Sequence, residues 1–316
     1  MVSLRPYQEA AVSAVYEHLS AREDNPCVVI PTGGGKGVIV GRICADVVER
    51  WNGRILVLTH VKELVDQNAG QAARFLSPLL VGVNSAGLKR RDLDHPVIIA
   101  GIQSVYQKAC DLGRFDIVLI DEAHLIPPDG EGMYQTFLRD AQAVNPHLRV
   151  IGLTATPFRL KDGAICGPDN ILNHVCYEVG VKELIRDGFL SPLISKAGRA
   201  KADTTGLHVR AGEFVAEEVE RLCDADDLVR AACIEIVEQT SKRKACRLFA
   251  AGVTHAEHVA EVLRTTHGLE VACIFGHTPD AERDRGEYSN ASCRRSHPRG
   301  AAPTRRPYFA RELSGP

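Results

Sequence analysis

The sequence has no uninterrupted apolar run near the ~20 residues that a membrane-spanning helix requires. It also lacks an N-terminal stretch combining a basic start, an apolar segment and a small-residue cleavage site. These two absences predict a soluble, cytoplasmic protein without a membrane partner. No C-x-x-C pair occurs among the ten cysteines. They are scattered, as at Cys27, Cys44, Cys110, Cys166 and Cys176, and most lie in apolar runs, where a free thiol behaves as a small hydrophobe. Reduced core residues of a cytosolic protein are therefore expected. Excess positive charge is missing too. The net charge is −2, and six arginines against one acid in Ser289 to Pro316 leave about seven net negative charges on the rest. An acidic body does not hold nucleic acid by bulk charge, so any such contact must come from a local groove or from backbone amides.

What is present is an alternation of strand-like and helix-like stretches within 316 residues, enough for two cores of the usual ~100–200 residues. Pro6 to Leu19 reads as an amphipathic helix, with Val12, Val15, Tyr16 and Leu19 at helical spacing. Cys27 to Ile30 is a short apolar strand, Val38 to Val48 a helix, Arg54 to Thr59 a strand and Lys62 to Leu76 a helix. Pro96 to Ile102, Phe115 to Ile120 and Arg149 to Thr154 supply three more strands. Because the strands are apolar throughout, they predict a parallel sheet covered by helices on both faces. Such sheets bind ligands at the carboxyl ends of their strands.

Three motifs fall at those ends. Pro31 to Gly37, P-T-G-G-G-K-G, joins a strand to a helix. Thr32, Gly33, Gly34 and Gly35 can turn successive N–H groups toward one anion, and Lys36 adds a point charge for the β- and γ-phosphates. An ordinary glycine turn with a solvated lysine is the plainer reading, since G-x-x-x-x-G-K-[ST] is not fully met. Ile30 replaces the first glycine, and Gly37 stands where a Ser or Thr hydroxyl normally holds magnesium. Asp121-Glu122-Ala123-His124 follows the strand F-D-I-V-L-I; an aspartate there can hold Mg2+, and a neighbouring glutamate can orient and deprotonate a water. Two surface acids would look the same in isolation, but a glycine loop and an acidic pair at two strand ends together indicate a nucleoside triphosphatase. Thr154-Ala155-Thr156-Pro157 ends the next strand and is a weak signal alone.

The ordered set L-R-P-Y-Q, P-T-G-G-G-K, V-L-T-H-V-K-E-L-V-D-Q, G-I-Q-S-V, D-E-A-H and G-L-T-A-T-P-F-R resembles superfamily 2 helicases. The likeness is to the DEAD/DEAH-box branch with XPB-like helicases and restriction-enzyme motor subunits, and it runs from Leu4 to about Gly286. It implies a P-loop NTPase: a RecA-like parallel sheet flanked by helices over residues 1–190, an incomplete second RecA-like domain over 191–288, and ATP and Mg2+ as cofactors. By the same resemblance Gln8, with Arg5 nearby, reads adenine, Lys36 holds phosphate, Asp121 holds magnesium and Glu122 is the general base. His124, Thr154 and Thr156 couple the site to the second domain. Thr59, Glu63, Gln103 and Ser104 line a nucleic-acid track through phosphates and sugars, which positions a strand without reading its sequence. The strand, single or double, is expected to be DNA by analogy, and a partner subunit is allowed for. Two departures bear on rate and affinity: Gly37 leaves the metal to Asp121, phosphates and water, and Val61 replaces the family's usual arginine.

In the second half, Leu248 to His258 reads as a strand and then a helix capped by Thr254, and Val271 to Gly276 as another strand. Thr278-Pro279 before acids fits a helix start. His255 and His258 share a helix at a spacing of three, but no Cys or acidic partner follows at ligand spacing, which argues against a metal. The resemblance then stops. Residues 289–316 contain four prolines and neither valine nor isoleucine, which predicts a disordered basic tail. A frameshifted or truncated coding sequence, a basic arm gripping phosphates and a neutral end are the three readings. No T-x-G-F-D-like or Q-x-x-G-R-x-x-R motif follows, and arginine fingers are worth ~10³–10⁵ in rate. The expectation is nucleotide binding with little stimulated hydrolysis, and the rival is a nucleotide-gated nucleic-acid-binding module that does not turn over.

Overall fold

The computed structural model describes residues 2–127, 132–159, 163–210, 213–243, 246–276, 278–279 and 307–312. The chain divides into two compact units, Met1–Leu193 and Ile194–Pro316.

Among the described residues the first unit has ten strands: β1 (Pro26–Val29), β2 (Ile55–Thr59), β3 (Val81–Ser85), β4 (Arg90–Arg91), β5 (Val97–Gly101), β6 (Ile117–Asp121), β7 (Arg149–Thr154), β8 (Phe158–Arg159), β9 (Gly163–Ala164) and β10 (His174–Glu178). Eight form one sheet in the order β10-β1-β7-β6-β2-β5-β3-β4, and β8 and β9 form a separate two-residue ladder. Every described pairing in the large sheet is parallel except β3 with β4. Its helices are α1 (Pro6–Ala21), α2 (Lys36–Glu49), α3 (Lys62–Ala72), α4 (Ile102–Val105), α5 (Ala109–Leu112), α6 (Met133–Val144) and α7 (Val181–Arg186).

Alternate residues of a strand point to opposite faces, and both faces are covered here. Ile55 and Val57 pack with Val15, Ile43 and Val65 under α1, α2 and α3. Leu56 and Leu58 pack with Val105, Leu112 and Phe137 under α4, α5 and α6. This explains why the strands are apolar at successive positions. The chain leaves β1 and returns at β2 three places along, and β6 and β7 fill the gap later. The ends of β1, β7 and β6 therefore stand side by side at the point where strand order reverses, the usual ligand crevice of such sheets.

The second unit contains a two-residue antiparallel ladder, β11 (Val209–Arg210) with β12 (Glu213–Phe214), and then α8 (Ala216–Cys223), α9 (Asp226–Thr240), β13 (Cys246–Ala250), α10 (Val253–Thr265), β14 (Glu270–Ile274) and β15 (Pro307–Glu312). β15 lies between β13 and β14, parallel to both. These six residues form a strand within 289–316, where a disordered basic tail was expected. Backbone N–H and C=O groups pair whatever the side chains, and two open strand edges supply the partners. Residues 280–306, where a helix after Pro279 and most of the tail were expected, lie outside the described residues.

Two further expectations change. The nine described cysteines are free thiols, but only Cys27, Cys44 and Cys233 are buried, and Cys110 is exposed. The cap of α10 is Gly252 rather than Thr254. Glu220 from α8 reaches in to accept hydrogen bonds from the N–H groups of Thr254 (2.9 Å) and His255 (3.3 Å). A Cβ on Gly252 would stand 2.1 Å from the Glu220 side chain, so only glycine leaves room for that carboxylate. Among the described residues no helix is long and apolar enough to cross a membrane.

Candidate functional site

The glycine loop leaves β1 and enters α2 at Lys36. Its backbone folds on itself, Gly34 N–H donating to Pro31 O at 2.9 Å and Val38 N–H to Gly35 O at 3.0 Å. Gly35 adopts the left-handed conformation, φ +80, and a Cβ there would stand 2.5 Å from Gln8 Nε2. Conformation and close approach both demand glycine. Gln8, buried in the first turn of α1, donates to Gly34 O at 3.1 Å and accepts from Arg5 N–H at 2.9 Å. Tyr7 donates its hydroxyl to the same Gly34 carbonyl at 2.7 Å. The Arg5 guanidinium sits 5.4 Å from the centre of the Phe189 ring, which packs edge-on against Tyr7. Tyr7 and Phe189 were not singled out in the sequence; Tyr7 is visible within L-R-P-Y-Q, whereas Phe189 carries no local signal.

β6 delivers Asp121 and Glu122. Asp121 is 4 % exposed. Its Oδ1 accepts from Glu122 N–H at 3.0 Å and its Oδ2 from Asn68 Nδ2 at 3.0 Å. Burial raises its carboxyl above the usual carboxylate range, and the Asn68 hydrogen bond opposes that shift. Glu122 occupies left-handed backbone space, φ 52, costly for a residue with a Cβ and characteristic of functional turns. The turn points its side chain at the loop: Lys36 Nζ donates to Glu122 Oε1 at 2.7 Å, both side chains being largely shielded.

His124 and Thr154 complete the arrangement. His124 Nδ1 lies 3.0 Å from Thr154 Oγ1 and 3.4 Å from Glu122 Oε2. A carboxylate only accepts, so the ring proton belongs on Nδ1. Burial lowers the His124 pKa below its ordinary value. Thr156 N–H donates to Thr154 Oγ1 at 3.1 Å, closing the turn after β7. Arg159, the last residue of G-L-T-A-T-P-F-R, donates to the carbonyls of His124, at 3.0 Å, and Ile126, pinning the loop after β6.

Thr32, Gly33, Gly34, Gly35, Lys36, Gly37, Asp121, Glu122, His124 and Thr154 thus gather around neighbouring strand ends, with Gln8 behind the loop. The residues expected along a nucleic-acid track divide. Glu63 and Gln103 are exposed, Gln103 Nε2 donating to His60 O at 2.9 Å. Ser104 is half-buried and accepts from Ala86 N–H at 3.0 Å. Thr59 is a correction: it is fully buried, and its hydroxyl closes a turn onto Val61 instead of facing solvent.

Among the described residues no three His, Cys, Asp or Glu side chains cluster as metal ligands. The oxygens at the loop, those of Asp121 and Asn68, are the hard donors that suit Mg2+, which commonly takes one or two carboxylates and completes its shell with phosphate oxygens and water.

A RecA-like sheet carrying these loops in this order defines the superfamily 2 helicase class. Two solved structures share the fold. A Type ISP restriction-modification enzyme, LlaBIII, described as ATP-dependent and bound to DNA, matches 98% of this chain and 24% of its own at 13% identity, with a TM-score of 0.62. Dbp5 of Saccharomyces cerevisiae, bound to RNA and ADP BeF3, matches 97% of this chain and 69% of its own at 14% identity, with a TM-score of 0.56. The family model described as Type III restriction enzyme, res subunit, matches residues 1–159, and the chain belongs to that family. Among curated proteins, IRC3 of Saccharomyces cerevisiae, described as a candidate ATP-dependent helicase, is 22% identical over 293 residues, 89% of this chain and 42% of that protein. A candidate mitochondrial ATP-dependent helicase of Schizosaccharomyces pombe is 24% identical over 291 residues, 90% of this chain and 46% of that protein. The chain spans less than half the length of either relative.

Proposed function

We propose that this chain is the ATP-binding part of a helicase-type NTPase that acts on nucleic acid. The observation that carries the reading is the 2.7 Å contact between Lys36 of the glycine loop and Glu122 at the next motif, beside buried Asp121. A triphosphate lying on the loop amides would offer Lys36 a second, more highly charged partner. Glu122, released from the ammonium, would then accept a proton from the attacking water. Bound Mg2+ would supply charge neutralisation at the phosphates; Asp121 would hold it, and Gln8 and Arg5 would meet the base. His124, tied to both Glu122 and Thr154, would pass the state of the site to the turn at Thr156. The domain reading is residues 1–190 for the nucleotide-binding unit and 191–288 for the start of a second RecA-like domain.

DNA is the proposed strand, supported by the restriction-enzyme family. Glu63 and Gln103, both exposed, would line its track together with Ser104. A second reading for this chain on its own is a nucleotide-gated nucleic-acid-binding module with little turnover. Equilibrium binding of ATP with Mg2+ and steady-state hydrolysis with and without single-stranded DNA test both. The expected result is ATP binding abolished by Lys36→Ala, with little DNA-stimulated hydrolysis. Absence of ATP affinity in the unaltered chain would overturn the assignment. Robust stimulated turnover, lost on Glu122→Gln, would remove the second reading and keep the first.

A further inference from the structure

Gly37 leaves the loop without the hydroxyl that its position ordinarily supplies, and the space beside it is not vacant. A Cβ built on Gly37 would meet Gln71 Cγ at 3.0 Å and Asn68 Oδ1 at 3.6 Å, both from α3. Asn68 is 2 % exposed. Its Nδ2 donates to Asp121 Oδ2 at 3.0 Å, so one amide spans the gap between Gly37 and the proposed metal-holding carboxylate. An asparagine is an unusual occupant of an apolar helix face, because a buried amide costs free energy unless its polar atoms are partnered. Val65 and Ala72, three before and four after it on α3, are buried as apolar residues in the core.

We infer that Asn68 replaces the missing loop hydroxyl: its amide orients Asp121 and brings a neutral oxygen to the metal side of the site. The chemistry is matched, since an amide oxygen and a hydroxyl oxygen are both uncharged hard donors suited to Mg2+ or to water held by it. Substituting one for the other keeps the charge at the site unchanged while moving the oxygen from the P-loop to the neighbouring helix. Asn68 thus positions Asp121 through its Nδ2 and offers its Oδ1 to the metal side. The inference rests on the ATP and Mg2+ reading above.

The test is the Mg2+ dependence of ATP binding by the 316-residue chain, measured calorimetrically with Mg2+ and with EDTA. Mn2+ spectra in the presence of ATP report on the metal directly. Asn68→Ala is expected to lose about tenfold in the tightening that Mg2+ confers, the usual scale for losing a group that orients a metal ligand, while binding in EDTA is unchanged. Adding Gly37→Ser to Asn68→Ala is expected to restore the Mg2+ effect, Gln71 giving way at the surface. An Asn68→Ala protein with the original Mg2+ response would overturn the inference. Should Asn68→Ala fail to fold, Gly37→Ser alone decides. A small gain fits an oxygen already supplied, and a gain of the full tenfold would show that none was. Failure of the unaltered chain to bind ATP in either condition would instead overturn the functional reading on which this rests.

Discussion

The two units of the chain use β-strands in different ways. In the first, β2, β5 and β6 are buried at every position, because helices cover the sheet on both sides. In the second, β13 alternates, with Arg247 and Phe249 exposed between less exposed neighbours, and Phe249 is 56 % exposed. Its main core cluster gathers Val229, Cys233, Val259, Val262 and Leu263 from α9 and α10 against Val271 of β14. A sheet gripped from both sides holds its strand ends rigidly. The segments after β1, β6 and β7 link Lys36 to Glu122, Glu122 to His124 and His124 to Thr154 in one chain of contacts. A strand with one wetted face has less apolar area to fix it.

The largest expected effect separates the two arrangements by substitution. Leu119→Ala, at a fully buried position of β6, should destabilise the first unit by about 3 kcal/mol in a chemical denaturation series. Phe249→Ala should stay within about 0.5 kcal/mol. Equal losses would break the contrast. Next in size is Asp121→Asn. Its carboxyl is raised by burial, so the folded state holds its proton more tightly than the unfolded state does, and stability is lost as pH rises through that raised value. Removing the charge should therefore stabilise the ligand-free protein by about 1 kcal/mol at neutral pH. Asn68 can flip its amide to face the new one. The gain should fade in acid, and a melting temperature lowered at pH 7 would contradict it.

In the second unit, Glu220→Ala should cost about 1 kcal/mol through loss of the cap on α10, on the scale of other caps. Unchanged melting of α10, followed by amide exchange, would show the cap to be inert. The smallest effect concerns His258, whose Nδ1 lies 2.9 Å from Asp224 Oδ1 and whose Nε2 lies 3.3 Å from Asp226 Oδ1. The hydrogen bond to Asp224 raises its pKa above the ordinary value. The stability that this gives is complete below about pH 6.5, the unfolded value, and disappears as pH climbs through the raised one. His258→Gln should flatten that slope in melts across neutral pH, while leaving the pH response of the first unit untouched. The same acids were invisible at the spacing where metal ligands were sought, because the turn from α8 to α9 brings them from more than thirty residues away.

The contrast also explains what could be read from the sequence. Continuous apolar runs such as I-L-V-L-T and I-V-L-I-D announce strands buried on both sides, and the glycine loop and D-E-A-H fall at their ends. β3, V-G-V-N-S, and β10, H-V-C-Y-E, passed unnoticed because glycine and polar residues interrupt them; register with β5 and β1 makes them strands. α6 did carry a signal, Tyr134, Phe137, Leu138 and Ala141 at helical spacing, all buried. Within the site, residues inside motifs were legible and residues that reach it through packing were not. Asn68 is the residue immediately after the motif that ends at Gln67, Phe189 arrives from the far end of the unit, and Thr59, expected along the nucleic-acid track, is fully buried.

The side chain of Gln8 has a consequence for how a guest would be sensed. A carboxamide presents two hydrogens and two lone pairs. Within the protein, one hydrogen goes to the Gly34 carbonyl and one lone pair to the Arg5 amide, which leaves one of each. A purine edge offering a donor next to an acceptor would complete the set, whereas a base with the opposite polarity would have to pull Gln8 off Gly34. Discrimination between bases would then be felt as slack or tension in the loop proposed to hold the phosphates.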